Sequence, residues 1–452
     1  MRIVIVGCGN IGSTIVKNLV AEGHDVIAVD ENAAIIAEIT NSYDAMGVCG
    51  NGVDCETLME AEVERAELFV SVTGSDEFNM LSCFLAKRMG AKHTIARIRN
   101  PEYNDGSLGF LRQQLDLSLS INPELLTARE LLNVLKFPSA VNVETFSGRS
   151  FEIVELRLKE NSPLDGMRLS DLRRRYQAKF LVCAVQREER VYIPDGNFEL
   201  KSGDKIGLTA APKEIQKLLK MLGILQKQVK DVMILGASRT AYYLAKMLTE
   251  NGIGVKIIEK DRAVCKEFCD SIPAAVMICG DAAEPELLFA EGLPSMDAFV
   301  ALTDSDEENI LLSFYANANG PSKVVSVVNR TELSTMAERL GLDSIVSPQK
   351  MISNVLTRYA RALENSLGSN VETLYKIMDG QAEALEFNVQ NDFPSLDVPL
   401  KEMKLKSNLL VAGIIRGKKT VIPTGDDVIQ AGDRVIVIST EHRLQDLSDI
   451  IA

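Results

Sequence analysis

The 452-residue chain is written twice. Shifted on itself by 229 residues, IVIVGCGNIG at 3–12 falls on VMILGASRTA at 232–241, and Asp30 falls on Glu259. At a shift of 230, GVCGNGVDCETLMEAE meets MICGDAAEPELLFAEG, which aligns Cys49 with Cys279 and Gly50 with Gly280. At the same shift VTGSDEFNMLSCF, residues 72–84, meets LTDSDEENILLSF, residues 302–314. Thr73, Ser75, Asp76, Glu77 and Asn79 are thereby matched by Thr303, Ser305, Asp306, Glu307 and Asn309. Back at 229, PDGNFELKSGD (194–204) meets PTGDDVIQAGD (423–433). Agreement in register over most of the chain identifies a tandem duplication, so the fold must be built from two similar halves.

Each half divides again. Its first part alternates apolar strands with helical spacing. Strands are predicted at Ile3–Val6, Val26–Val29, Ala45–Val48, Leu68–Val72 and Thr94–Ile98. Helices are predicted at Ile11–Ala21, Ala34–Ile39, Glu56–Ala61 and Glu77–Met89. That alternation gives a parallel sheet with right-handed crossovers. A helix from Glu124 to Leu135 then leads away. The second part is a small α+β module with strands at Val143–Leu158, Phe180–Val185 and Lys205–Leu208, and a closing amphipathic helix at Ile215–Leu222. Positions 371–452 repeat it, with His442 in the terminal helix. The predicted fold class is therefore α/β: duplicated Rossmann-like parallel-sheet domains, each followed by a small α+β module. The expected bounds are 1–140, 141–225, 226–368 and 369–452.

Composition removes several function classes. With 46% apolar and 25% charged residues the chain is globular. No apolar run approaches the roughly 20 residues of a spanning helix. The opening MRIVIVGCGN runs straight into a strand and a glycine turn, so no secretory signal is expected. A net charge of −14 opposes a sequence-independent grip on nucleic-acid phosphates and adsorption to anionic lipid. The short basic run Arg173–Arg175 reads as a solvated helix face. The eight cysteines form no CxxC pair, and Cys265 and Cys269, four apart on a helix, have no second ligand pair with zinc spacing. They are expected to be buried, reduced thiols.

The most chemically specific feature is a glycine turn, G-x-G-x-x-G, at Gly7, Gly9 and Gly12, directly after a strand and opening a helix. Gly7 permits the turn, Gly9 lets the backbone approach a pyrophosphate, and Gly12 allows close helix–strand packing. The helix N-terminus then offers free N–H groups and a positive dipole end to phosphates. Asp30 ends the second strand, eighteen residues after Gly12, where a carboxylate accepts both ribose hydroxyls and repels a 2′-phosphate. NAD is thus expected over NADP. Further contacts belong at the carboxyl ends of the strands: Gly50–Asn51 after the third, Thr73–Gly74 after the fourth. Arg97, in the fifth strand, either meets a phosphate or makes an ion pair.

The second half keeps the scaffold without the glycines. Gly236 remains, but Ser238 and Ala241 replace Gly9 and Gly12, and Val327 replaces Arg97. Glu259, Asp281 and Thr303 keep polar groups at their strand ends. Ser238 crowds the pyrophosphate approach and Arg239 could offset that with a phosphate contact, so a weaker, altered or empty second site is expected.

A dehydrogenase needs an acid or base beside the nicotinamide. His24 and His93 fall at the amino edge of the first sheet, opposite the crevice, and no substrate domain of dehydrogenase size follows. No GKS/T turn follows the glycines, which removes a P-loop phosphotransferase. The residue pattern leaves open a dinucleotide-dependent oxidoreductase or a nucleotide-controlled switch.

The string I-x-G-x-G-x-x-G from Ile5, with Asp30, Gly50, VTGSDEFNM at 72–80 and IARIRNPEY at 95–103, resembles the nucleotide-binding RCK (KTN) domain. The PDG…GD module resembles the RCK C-terminal domain. Two such pairs in one chain resemble the tandem-RCK regulatory subunits of Trk-type potassium uptake systems. The resemblance implies a cytoplasmic, peripheral, non-enzymatic gating subunit with no lipid anchor of its own. It implies NAD(H) and ATP or ADP as ligands, a homotetramer forming a ring of eight RCK domains, and an integral membrane potassium-translocating subunit as partner. A regulator of another cation transporter would use the same domains. The resemblance implies nucleotide contacts at Gly7, Cys8, Gly9, Asn10, Ile11, Gly12, Asp30, Asn51, Thr73, Gly74 and Arg97. In the second half it implies Gly236, Arg239, Glu259, Asp281 and Thr303.

Overall fold

The computed structural model describes the chain except residues 105–106, 147–150, 161, 177–178, 225–226, 366–370, 418, 441–443 and 445. Strands of the first half are β1 (Arg2–Val6), β2 (Asp25–Asp30), β3 (Met46–Cys49), β4 (Leu68–Ser71), β5 (His93–Arg97), β6 (Leu119–Ile121), β7 (Asn142–Phe146), β8 (Phe151–Arg157), β9 (Phe180–Arg187), β10 (Arg190–Tyr192) and β11 (Lys205–Ala210). Those of the second are β12 (Asp231–Leu235), β13 (Gly254–Glu259), β14 (Val276–Cys279), β15 (Ala298–Ala301), β16 (Lys323–Val327), β17 (Ile345–Val346), β18 (Val371–Ile377), β19 (Ala382–Asn388), β20 (Leu409–Arg416), β21 (Lys419–Val421) and β22 (Arg434–Ser439).

The two parallel sheets have the orders β3-β2-β1-β4-β5-β6 and β14-β13-β12-β15-β16-β17. The order reverses between β1 and β4, and between β12 and β15, which opens a crevice at the carboxyl end of each sheet. The central strands are unbroken apolar runs because helices cover both faces: Ile3, Val4 and Ile5 are fully buried. The antiparallel modules share one order, β10-β9-β11-β8-β7 and β21-β20-β22-β19-β18.

Three details differ from the sequence reading. Each parallel sheet carries a sixth strand, too short at Leu119–Ile121 and Ile345–Val346 to show a periodicity. The stretch Val143–Leu158 is two antiparallel strands, β7 and β8, not one. The closing helix of the first module is present at Pro212–Met221, whereas the described residues of the second end in a single turn, Leu447–Ile450. His442 lies outside the described residues.

The halves exchange helices. The helix Pro123–Lys136 is set by Asn122, whose side chain accepts the Leu125 N–H at 2.9 Å, and by Pro123 in its first turn. Its apolar stripe, Ala128, Leu131 and Leu135, packs in one cluster with Val232, Ile234 and Val300 of the second sheet. Reciprocally, Ile352, Leu356 and Ala360 of the helix Pro348–Asn365 pack with Ile3, Ile5, Ile15 and Leu19 of the first half. Each fully buried leucine or isoleucine is worth about 1.5–3 kcal/mol, so neither half closes its own core without the other. The antiparallel modules also meet face to face: Phe146, Phe151 and Ile153 pack against Ile377, Met378 and Ile436. Gly413 permits that approach, since a Cβ there would overlap the Phe151 ring.

Buried charge fastens the same contacts. The Arg361 guanidinium donates to Glu22 at 2.8 Å and, through both terminal nitrogens, to Glu383 at 3.0 and 2.8 Å. Lys376 adds a bond to Glu22 at 3.1 Å. Lys205, buried in the first module, reaches Glu155 at 3.0 Å and Asp379 of the second half at 2.9 Å. Burial alone would lower the pKa of Lys205, but these two carboxylates raise it above its ordinary value.

Candidate functional site

At the switch point of the first sheet lies a crevice of about 880 Å³. Gly7, Gly9, Asn10, Ile11, Gly12, Asp30, Asn51, Thr73, Gly74 and Arg97 all line it. Ten of the eleven first-half residues named from sequence thus come together, drawn from the ends of β1 to β5. Cys8 is the exception. Its side chain is buried behind the turn, where burial and then the charge of Asp30 push the thiol up to about 12. Cys8 contributes its backbone N–H, not its sulfur.

The glycines have distinct reasons to be glycine. Gly7 sits at φ +87°, and a Cβ there would press on the backbone of Thr73. A Cβ at Gly12 would overlap the carbonyl oxygen of Gly7. Gly9 is different: nothing lies within 4 Å of where its Cβ would be. The space over Gly9 is open, and the helix Asn10–Ala21 that it precedes has no side-chain cap. Its first N–H groups therefore face the crevice without a side-chain acceptor, as an anion site requires.

Asp30 organises the turn it faces. One carboxylate oxygen accepts the Cys8 N–H at 2.7 Å and the other accepts the Asn32 N–H at 2.9 Å. The shared string S-D-E-x-N supplies the opposite wall. Ser75 caps the helix Asp76–Met89 by accepting the Phe78 N–H at 3.2 Å. Buried Asp76 accepts the N–H groups of Arg99 and Asn100 at 2.8 and 2.7 Å, which folds the loop after β5 over the site. Buried Asn79 accepts from the Thr73 N–H at 2.8 Å and donates to the Arg97 carbonyl at 3.0 Å, joining the ends of β4 and β5.

Of the two roles the sequence left open for Arg97, the structure shows the ion pair, made at the crevice wall. It lines the crevice and lies 3.6 Å from Glu124. Arg99, which sequence reasoning did not single out, lies 3.8 Å from the same Glu124 oxygen. The available signal was a second arginine just beyond the carboxyl end of β5, where ligand contacts belong. Burial lowers the pKa of Arg97 against the raising pull of Glu124, and the charges of Arg99 and Arg239 lower it further. Arg239 opens the helix Arg239–Glu250 of the second half. Tyr243 on that helix accepts from Asn122 at 3.0 Å and donates to the Arg99 carbonyl at 3.3 Å. The structure thus brings the charge of Arg239 to bear on the first site.

The second crevice repeats the frame. Gly236 is again at φ +87°, Glu259 accepts the Ala237 N–H at 2.9 Å, and Thr303 is held by Asn309 at 2.8 Å. Asp281 accepts the Ala283 N–H at 2.9 Å, as Asn51 accepts that of Val53. The difference is at the helix start. Ser238 accepts the Ala241 N–H at 3.3 Å, so the donor end left open at Gly9 is already capped here.

His24 and His93 both lie at the amino edge of the first sheet. His24 is 3.3 Å from Glu364, and the His93 ring meets Tyr359 edge-on. Both contacts are with the exchanged helix, away from the crevice.

The model of the TrkA-N domain matches residues 3–109 and 232–348, and that of the TrkA-C domain matches 153–223 and 384–452. A "Trk system potassium uptake protein TrkA homolog" of Archaeoglobus fulgidus is 31% identical over 450 residues, covering all of both chains. The "Trk system potassium uptake protein TrkA" of Vibrio alginolyticus is 30% identical, over 100% of this chain and 98% of that one. Among solved structures, the GsuK channel has the same fold, with a TM-score of 0.62 at 18% identity over 97% of this chain and 77% of the other. The GsuK channel bound to NAD gives 0.61 at 17% over the same shares.

Proposed function

The chain belongs to the family of tandem TrkA-N and TrkA-C domain proteins, and from that premise we propose that it is the nucleotide-responsive regulatory subunit of a potassium uptake system. The observation that carries the reading is the crevice over Gly9: an open, uncapped helix N-terminus facing a ribose-type carboxylate, Asp30. These residues fit a dinucleotide. The N–H groups after Gly9 hold the pyrophosphate, Asp30 accepts the ribose hydroxyls, and Arg97, Arg99 and Arg239 neutralise phosphate charge. NAD(H) and the adenine nucleotides ATP and ADP are the ligands of this reading. Among the described residues no helix is long and apolar enough to cross a membrane. The chain works in this account at the cytoplasmic face, by docking on an integral potassium-translocating subunit. Four chains, each with two parallel-sheet domains and two α+β modules divided near residues 140, 225 and 368, close a ring of eight units.

Here the nucleotide is an effector, not a co-substrate. Its differential contacts bias two arrangements of the ring. Co-purification from native membranes tests the reading. An integral potassium translocase should accompany the chain, and bound NAD(H) should be returned chemically unchanged. Turnover of NAD(H) with a small-molecule substrate would instead make the protein an oxidoreductase.

Two binding predictions belong here. NADP should bind more weakly than NAD, because Asp30 faces the position of the 2′-phosphate; equal affinities by calorimetry would remove Asp30 from that role. Gly9→Ser should place a hydroxyl where Ser238 stands in the other half. A cap bond worth about 1 kcal/mol then competes with the pyrophosphate, and NAD affinity should fall roughly 3–10-fold. Unchanged titration curves would show that capping does not distinguish the halves.

A further inference from the structure

Four of the eight cysteines are exposed, contrary to the expectation of buried thiols, and two of these stand beside a third, buried one. Cys265, Cys269 and Cys279 occupy the positions that Ile36, Thr40 and Cys49 hold in the first half. Duplication therefore gives an internal comparison, in which the same scaffold carries one thiol in one copy and three in the other. Cys279 ends β14 in parallel register with Glu259 at the end of β13. Cys265 lies near the start of the helix Arg262–Ser271, which covers those strands. Its Sγ donates to the Glu259 carbonyl at 3.3 Å, and the Cys279 Sγ is 4.0 Å from the next carbonyl, that of Lys260. The two sulfurs thus rest against consecutive carbonyls of one turn. Among the described residues no group of three or more His, Cys, Asp or Glu side chains is arranged to hold a metal ion. The chemistry open to this pair is oxidation.

We propose that Cys279 and Cys265 are a peroxide-sensitive dithiol that closes to a disulfide at the end of the second sheet. The exposed Cys279 thiolate attacks a hydroperoxide oxygen. The O–O bond breaks, one water or alcohol leaves, and Cys279 becomes a sulfenic acid. The Cys265 sulfur gives up its proton and attacks the Cys279 sulfur, the S–O bond breaks and a water leaves. Two thiols lose two electrons in total and one hydroperoxide gains them. The division of labour follows exposure. Cys265 is covered, and burial, with the neighbouring Cys279 and Glu259, pushes its thiol up to about 11. It is the poorer first nucleophile and is placed to resolve. The disulfide would tie the helix Arg262–Ser271 to β14 across the turn that carries Glu259 and the helix cap Asp261. In a reducing compartment such a bond is transient and reversible by thiol reductants.

The full-length chain, reduced and desalted, is exposed to hydrogen peroxide, denatured and alkylated. Two of the eight thiols should escape alkylation, peptide mapping should join Cys265 to Cys279, and dithiothreitol should restore both. Cys279→Ser should abolish the link and Cys49→Ser should leave it. In Cys265→Ser a sulfenic acid trapped by dimedone should accumulate at Cys279. The wild-type map decides the matter even where a variant fails to fold. Retention of all eight thiols, or a link that runs through Cys269 or joins two chains, would overturn the proposal.

Discussion

Asp30→Ala is expected to weaken NAD binding by roughly 10–100-fold, the loss of about 1.5–3 kcal/mol for two charge-assisted bonds to the ribose. The structure adds a second reason for a large effect. Asp30 also holds the glycine turn through the Cys8 N–H at 2.7 Å and the turn after β2 through the Asn32 N–H at 2.9 Å. Removing the carboxylate loosens the cradle as well as one of its contacts. Asp30→Asn separates the two contributions, since its side-chain oxygen can still accept one backbone N–H while the charge is gone. Calorimetry should place it between wild type and Asp30→Ala. Equal affinity for wild type and Asp30→Ala would remove the ribose assignment.

Arg361→Met should destabilise the whole chain by about 3–5 kcal/mol, because it leaves Glu22 and Glu383 without their shared guanidinium. Both halves should lose stability together. Arg361 stands on the exchanged helix and joins the end of the helix Asn10–Ala21, through Glu22, to the second antiparallel module, through Glu383. The pH dependence has a definite sign. Burial pushes the Glu22 carboxyl up, but Arg361 and Lys376 outweigh it and hold the folded value below the usual carboxylate range. The stabilisation is then present above the unfolded value, roughly 4.3, and is lost as pH falls through the folded one. The gap between wild type and Arg361→Met should therefore narrow on acidification. Denaturant unfolding at neutral and acidic pH measures it, and a change below about 0.5 kcal/mol at neutral pH would show the network to be inert.

The parts of this fold legible in sequence were those set by local chemistry. Ile3–Val6 followed by Gly7 and Gly9, with Asp30 at the end of the next apolar run, announced both the sheet and the crevice. Repetition in the second half supported each element twice. The exchange of helices was not legible. The stripe Ala128, Leu131 and Leu135 says that a face is buried, but periodicity does not say against which copy. In a duplicated chain the two candidate surfaces are nearly alike, and only packing decides. The same limit hid the interplay of the sites. Arg239 reads as a phosphate contact of its own half, yet its helix docks beside Arg97 and Arg99. Arg99 and Glu124 were missed because their meeting depends on the loop that Asp76 folds, a contact between residues 23 and 24 apart in sequence. Asp76 and Asn79 stood out as repeated letters, while their work as buried fasteners became visible only with their partners.

The interlocked halves bear on the proposed effector role. Moving a two-state ring from almost closed to almost open takes about 5.5 kcal/mol of differential binding. Several sites can share that if each contributes about 1–2 kcal/mol of coupling. Each sheet is completed by a helix of the other half, so packed side chains connect each glycine turn to the opposite half. The most direct measurement of this account is potassium flux into liposomes holding the membrane partner and either the wild-type chain or Asp30→Ala, with and without nucleotide. The account predicts a nucleotide-dependent flux with wild type and, with Asp30→Ala still bound to the partner, a flux that nucleotide no longer changes. An identical nucleotide response from both proteins would contradict it.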